Sequence, residues 1–265
     1  MGEKMGRWVR AVLPLAVSLA APAGCRRAAK VEPTPCVGPL APAVMTIELG
    51  ESVEARAIRM HVFGRGGPVT LIFAGIHGDE PTSEYVALRL VDYLLAHREP
   101  CAARRIAVLP SANPDGLARG TRANANGVDC NRNFPARNWR AAAPRGRRRH
   151  GLAPGSEPET RAILKAIAML EPVRILSIHS ARSIAPCNNF DGPARPLAEA
   201  MSRHNGYAVK ASIGYPTPGS FGTWAGVERK IPTVTLELPH NRTGPNVWPK
   251  NRDAILAFIH FAPGR

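Results

Sequence analysis

"VTLIFAGIHGDEPTSEYVALRL", residues 69–90, runs through three kinds of sequence without a break. Val69 to Ala74 form a continuous apolar run of strand length, as expected for a strand covered on both faces. From Pro81 the spacing becomes helical, and Tyr85, Leu88, Val91 and Leu95 are predicted to share the buried face. Between strand and helix stand His77 and Glu80, three positions apart. A strand that feeds directly into a helix is a building unit of α/β proteins, and functional groups gather at the carboxyl ends of such strands.

The same alternation continues along the chain. "RIAVLPS" (105–111), "VRILSIHS" (173–180) and "IPTVTLELP" (231–239) read as further buried strands. "GSEPETRAILKAIAMLEP" (155–172) reads as a helix with a Ser156–Glu159 capping box and a core face of Ile163, Ile167 and Leu170. "RPLAEAMSRHN" (195–205) and "KNRDAILAFIHF" (250–261) supply two more helices. The pattern predicts a three-layer α/β/α fold with a mixed, mostly parallel central sheet.

A chain of 265 residues has room for one large domain or two small ones. No second linker or repeat interrupts the later sequence, so the simplest partition is a leader at 1–25, a Pro/Ala-rich tether at 26–44 and one domain at 45–265. Hydrophobic residues at 45% and charged residues at 21% exclude wholesale disorder. The net charge of +15 is partly concentrated in Arg140, Arg145, Arg147, Arg148 and Arg149. No recognition helix or aromatic platform accompanies that cluster. It reads as a solvated loop, and no nucleic-acid partner is expected.

The leader consists of a basic "MGEKMGRWVR" and an apolar "AVLPLAVSLAAPA" ending in "AGC" at Cys25. The apolar stretch is short for a membrane span, so an export signal is expected, with a periplasmic location. Ala23 and Gly24 before Cys25 resemble a bacterial lipoprotein signal, whereas Pro22 departs from the leucine-like residue usual there. Membrane contact is expected only through such an anchor. Cys36, Cys101, Cys130 and Cys187 are even in number, which permits two disulfides, and three pairings stay open. The absence of a CxxC pair argues against a cysteine-rich zinc site.

The strands end in reactive groups: His77 and Glu80 after the first, His179 in "SIHS", and Glu237 in the middle of the apolar "TVTLELP". A carboxylate in an apolar strand needs a partner, because burying an unpaired charge costs several kcal/mol. Two histidines and a carboxylate with an open fourth position form the ligand set of a catalytic zinc site. His61, His97, His150, His204, His240 and His260 lack such company and read as hydrogen-bonded core or surface residues.

The context is "SANPDGLARGTRANANGVDCNRNFP" (111–135). With "HGDE", "NPDG", "VDCNRNFP", "SIHS" and "TLEL" in this order over about residues 70–239, the chain resembles the zinc carboxypeptidase family. "GTRANANGVDCNRNFPARNW", "PGSEPET" and "GYPTPGSFGTWAG" are similar to its murein peptide amidase branch, which cuts between γ-D-glutamate and meso-diaminopimelate in peptidoglycan stem peptides.

The resemblance implies one zinc ion per chain, held by His77, Glu80 and His179, with Glu237 as general base and then acid. Arg122 matches the arginine that meets the developing oxyanion. Asn131 and Arg132 match the pair that grips the substrate's free carboxylate, and Tyr215 matches the tyrosine that closes over substrate. A plain turn tyrosine stays open for Tyr215. Asp129 is a candidate to orient Asn131 and Arg132, and Asp79 to set a ligand tautomer. The implied partner is a peptidoglycan-derived peptide. Gly222 departs from the isoleucine that floors the pocket of pancreatic-type relatives, and the loop after His179 is divergent. Within that loop Arg182, Asn188, Asn189 and Asp191 are candidates to face substrate, without individual places. Rival readings are a carboxypeptidase for ordinary peptides, an acyl-amino-acid deacylase, or a wall-binding protein without activity.

Overall fold

An eight-stranded sheet carries the fold: β1 (Val44–Glu51), β2 (Ala57–Phe63), β3 (Val69–Phe73), β4 (Arg105–Leu109), β5 (Arg174–His179), β6 (Cys187–Asp191), β7 (Ala208–Lys210) and β8 (Thr233–Glu237). The computed structural model describes residues 44–141, 150–240 and 246–262. The leader, Cys25, the tether, Cys36 and residues 145–149 of the basic loop lie outside these. The strand order is β1-β2-β4-β3-β5-β8-β6-β7. The four central strands, β4, β3, β5 and β8, run parallel, while β1, β2 and β6 pair antiparallel with their inner neighbours. The sheet is mixed with a parallel centre.

Helices cover both faces. α1 (Pro81–Ala96), α4 (Arg195–Asn205) and α5 (Val247–His260) pack on one face with Ile72, Leu176 and Leu236. α3 (Pro158–Leu170) covers the other with Leu71, Phe73 and Ile175, burying Ile163, Ile167 and Leu170 as expected. A short α2 (Pro114–Arg119) follows β4 where "NPDG" was expected to turn. Because side chains alternate along a strand, β5 and β8 send Leu176, Ile178, Val234 and Leu236 into the first layer and turn His179, Thr235 and Glu237 to the other face. On that face a cavity, rather than apolar side chains, lies over β8 and β6.

Three local expectations are corrected. The buried face of α1 is Val86, Ala87, Leu90, Val91 and Leu94, so Val91 faces inward as expected, while Leu88 and Leu95 are 43% and 51% exposed. The helix is rotated because its first turn is anchored: Ser83 Oγ donates to the Glu80 carbonyl and accepts from Gly75 N–H. The capping box of α3 does not form. Ser156 Oγ donates to Glu157 and accepts from Asn133, whereas Glu159 accepts from Asn124 and from the Val53 N–H. Tertiary partners displace the local cap. A two-disulfide framework is absent as well: Cys101, Cys130 and Cys187 are free and buried. Cys101 and Cys130 lie in the packing layers on opposite faces of the sheet, and burial pushes the Cys101 and Cys187 thiols up to about 11.

Candidate metal centre and active site

The loop after β3 brings His77 and Glu80 together as a single turn, closed by Glu80 N–H donating to the His77 carbonyl at 3.3 Å. Two things seat this turn on α2. Asn113 caps α2 by accepting from Gly116 N–H, and its Nδ2 donates to the Ile76 carbonyl. Gly78 lies against Gly116 so closely that a Cβ at position 78 would fall 1.8 Å from the Gly116 carbonyl carbon. "HG" and "NPDG" are therefore complementary halves of one contact.

His179 and Glu237 are the last residues of β5 and β8. Glu237 is thus not in mid-strand, as the sequence suggested, but at the same carboxyl edge as the histidines. Glu80 lies between the imidazoles: His77 Nδ1 is 2.9 Å from its Oε1 and His179 Nδ1 is 3.0 Å from its Oε2. All three side chains are buried, and one ligand atom from each lies within 4.8 Å of the others. Among the described residues this is the only such group. The donor set fits a zinc ion. Two ring nitrogens and a carboxylate converge, and the remaining nitrogen of His77, Nε2, faces Asp129 Oδ1 at 3.1 Å. A carboxylate behind a ligand histidine fixes the tautomer that leaves the inner nitrogen as donor.

The buried charges of the cluster balance one another. Burial pushes the Glu80 carboxyl up, but the adjoining His77 and His179 imidazoles outweigh it and hold it well below the usual carboxylate range. Burial pushes His77 down, and Glu80 together with Asp129 turns the balance upward.

Asp129 organises the rest. It accepts from Asn131 N–H and from Arg122 Nε, at 3.0 and 2.9 Å, besides facing His77. Arg122 also donates through an Nη atom to Glu80 Oε1 at 3.1 Å. Asp79 Oδ1 is buried without a hydrogen-bond partner among the described residues, and the carboxylate that faces the His77 ring is Asp129. Asn131 Oδ1 accepts from Phe221 N–H, which leaves its Nδ2 to offer a ligand, and Arg132 is buried beside it. Asn131, Arg132, Tyr215 and Glu237 line the same cavity as His77, Glu80, Arg122 and His179. The residues to which the family resemblance gave a role, His77, Glu80, His179, Glu237, Arg122, Asn131, Arg132 and Tyr215, are thus brought to one place. Glu237 accepts from Ala181 N–H at 3.3 Å, and burial foremost raises its pKa.

The divergent loop resolves into distinct places. Asn189 and Asp191 point into the cavity from β6, Asn188 is buried elsewhere against Asn205, and Arg182 is exposed. Asn189 Oδ1 is buried with no partner among the described residues. Asp191 sits beside Gly222, where a Cβ would fall 2.2 Å from its carboxylate. Burial pushes Asp191 up to about 6. Sequence signalled the missing isoleucine at 222 but not the acid that takes its room, since only the packing of the helical segment Gly222–Glu228 against β6 brings them together.

Known proteins bear on this arrangement. A family model described as zinc carboxypeptidase matches residues 40–190. Murein peptide amidase A of Escherichia coli is 37% identical over 184 residues, covering 64% of this chain and 70% of that protein. The protein of that name from Vibrio campbellii is 34% identical over 206 residues, covering 73% and 78%. Among solved structures, murein-tripeptide amidase from Escherichia coli superposes with a TM-score of 0.67 at 29% identity over 83% of this chain and 93% of that one. Carboxypeptidase A from Helicoverpa armigera, at 21% identity and a TM-score of 0.68 over 83% of this chain and 70% of its own, shares the fold.

Proposed function

This chain belongs to the zinc carboxypeptidase family of hydrolases, and from that premise we propose that it removes meso-diaminopimelate from γ-D-glutamyl linkage in peptidoglycan stem peptides. The observation that carries the reading is the shared cavity itself. The His77–Glu80–His179 cluster, Glu237 and the carboxylate-binding pair Asn131 and Arg132 all open into it.

His77 and His179 would hold one zinc ion through Nδ1 and Glu80 through its carboxylate. Zinc so held would supply Lewis acidity and bring the ionisation of water toward neutral pH. Glu237 takes the proton from the attacking water and returns it to the departing amine. Its buried setting suits the first step, because burial raises its pKa and so makes the carboxylate a better base than an exposed one. Arg122, steadied on Asp129, presents its guanidinium beside the cluster where negative charge develops on the substrate oxygen. Arg132 and Asn131 Nδ2 grip the carboxylate next to the scissile bond. That grip makes the enzyme an exopeptidase, since an internal residue lacks such a carboxylate. Tyr215 borders the opening and would close over the bound peptide.

Specificity follows from Asp191 and Asn189. Diaminopimelate carries an ammonium at its far end, and these two residues offer a carboxylate and an amide oxygen deep in the pocket. The relatives named for murein peptides support this choice of substrate over an apolar C-terminal residue. We further propose export to the periplasm and lipidation at Cys25, supported by the basic and apolar segments before it. Mass analysis of the mature N-terminus tests this, and an unprocessed Met1 in the envelope-expressing host would overturn it.

The decisive experiment compares release of diaminopimelate from L-alanyl-γ-D-glutamyl-meso-diaminopimelate with cleavage of peptides ending in arginine or leucine, each with and without a chelator. Chelator-sensitive cleavage of the tripeptide is expected to dominate. Brisk cleavage of an ordinary peptide without diaminopimelate release would overturn the substrate assignment.

A further inference from the structure

Two consecutive peptide groups after His179 hold both carboxylates of the site. Ser180 N–H donates to Glu80 Oε2 at 2.9 Å, and Ala181 N–H donates to Glu237 Oε2 at 3.3 Å. Each N–H shares a rigid planar unit with the preceding carbonyl, so fixing the carbonyl fixes the direction of the N–H. The first carbonyl, His179 O, is fixed by sheet-like pairing with Leu238 N–H at 2.8 Å. The second, Ser180 O, lies past the end of the sheet, where no strand reaches it. Its partner is a side chain: His240 Nδ1, at 2.7 Å.

We propose that His240 is a positioning residue for Glu237, acting through the Ser180–Ala181 peptide group to hold the base against the attacking water. Sequence had marked His240 as an ordinary hydrogen-bonded histidine; the fold gives it a specific task. A carbonyl only accepts, so Nδ1 carries the proton. In the neutral ring Nε2 is then bare, and it is buried with no hydrogen-bond partner among the described residues. Pro239, between Leu238 and His240, restricts the backbone that turns the ring back over β5. The chain of contact is short and complete: imidazole to carbonyl, across one rigid peptide, amide to carboxylate.

The role rests on Glu237 serving as base, and the test separates the two. Zinc-loaded full-length His240→Ala, His240→Asn and Glu237→Gln proteins are assayed on L-alanyl-γ-D-glutamyl-meso-diaminopimelate. The asparagine Nδ2 occupies the place of the lost Nδ1 and keeps a donor. His240→Ala is expected to lower kcat about 10-fold or more, as removal of outer-shell partners commonly does, with KM and zinc content unchanged. His240→Asn is expected to regain most of the loss. Amide exchange by NMR should be faster at Ala181 in His240→Ala and near wild type in His240→Asn. Ring nitrogen shifts of the wild type should report the Nδ1–H tautomer.

Unchanged kcat in His240→Ala, equal impairment in both His240 variants, or an Nε2–H ring would each overturn the proposal. Undiminished turnover in Glu237→Gln would instead overturn the base assignment, and with it the catalytic half of this role. The exchange and ring-nitrogen measurements decide the hydrogen-bonded half whatever the activity.

Discussion

His179 and Glu237 are register partners across adjacent parallel strands, the final pair of the β5–β8 ladder. Two strands of equal reach therefore deliver the proposed metal ligand and the proposed base to one edge, side by side on the same face. Glu237→Gln should retain zinc while kcat falls by about 10²–10⁴, the usual worth of a positioned general base. It should also melt higher at neutral pH. Burial raises the Glu237 pKa in the fold above its unfolded value, so its ionisation opposes folding once pH exceeds the unfolded pKa, and that penalty disappears in acid. Melting of mutant and wild type from pH 4 to pH 8, read with roughly unit precision in pKa, checks this: a gap that does not widen with pH would sink the claim.

Asp129 is the common partner of His77, Arg122 and Asn131. Asp129→Asn should weaken zinc binding about 10- to 100-fold through the lost hold on His77. Competition with a chromogenic chelator measures this directly. Wild-type affinity in the mutant would show that the tautomer is set some other way.

Asp191 should govern both specificity and part of the pH dependence of stability. Burial pushes its pKa up to about 6 in the fold, from an ordinary aspartate value of 3.8. Stability from this group is therefore lost as pH rises from the lower value through the higher one. Asp191→Asn should recover on the order of 2 kcal/mol at neutral pH, measured by urea unfolding. The same change should raise KM for the diaminopimelate tripeptide and leave cleavage of a peptide ending in leucine no worse. An unaltered KM for the tripeptide would remove Asp191 from substrate recognition.

Gly78→Ala should be severe for its size. The added methyl meets the Gly116 backbone rather than a flexible side chain, so the turn carrying His77 and Glu80 must shift. A stability loss of about 1–3 kcal/mol is expected from overpacking, together with reduced zinc occupancy. Normal zinc content measured by metal analysis would contradict the proposed seating of the turn.

The central strands were legible from sequence because β3, β4, β5 and β8 are buried on both faces and so read as unbroken apolar runs. β1, β2, β6 and β7 were not seen. β1 is largely exposed at the sheet edge, and β6 is polar because it lines the cavity. The capping box at Ser156 failed for a related reason: a local pattern was outbid by Asn133 and Asn124, which are distant in sequence.

By itself the sequence determined the layer type and singled out the candidate zinc ligands and the candidate base, because each is written in local pattern: apolar runs, helical spacing and short motifs around His77, Asn131, His179 and Glu237. Only the tertiary structure decided that Asp129 stands behind His77, that Asp191 fills the space left by Gly222, and that His240 reaches the Ser180 carbonyl. Those relations depend on strand register and on close approach between segments far apart in the chain. No local pattern encodes them, since they exist only once burial and pairing have fixed which faces meet.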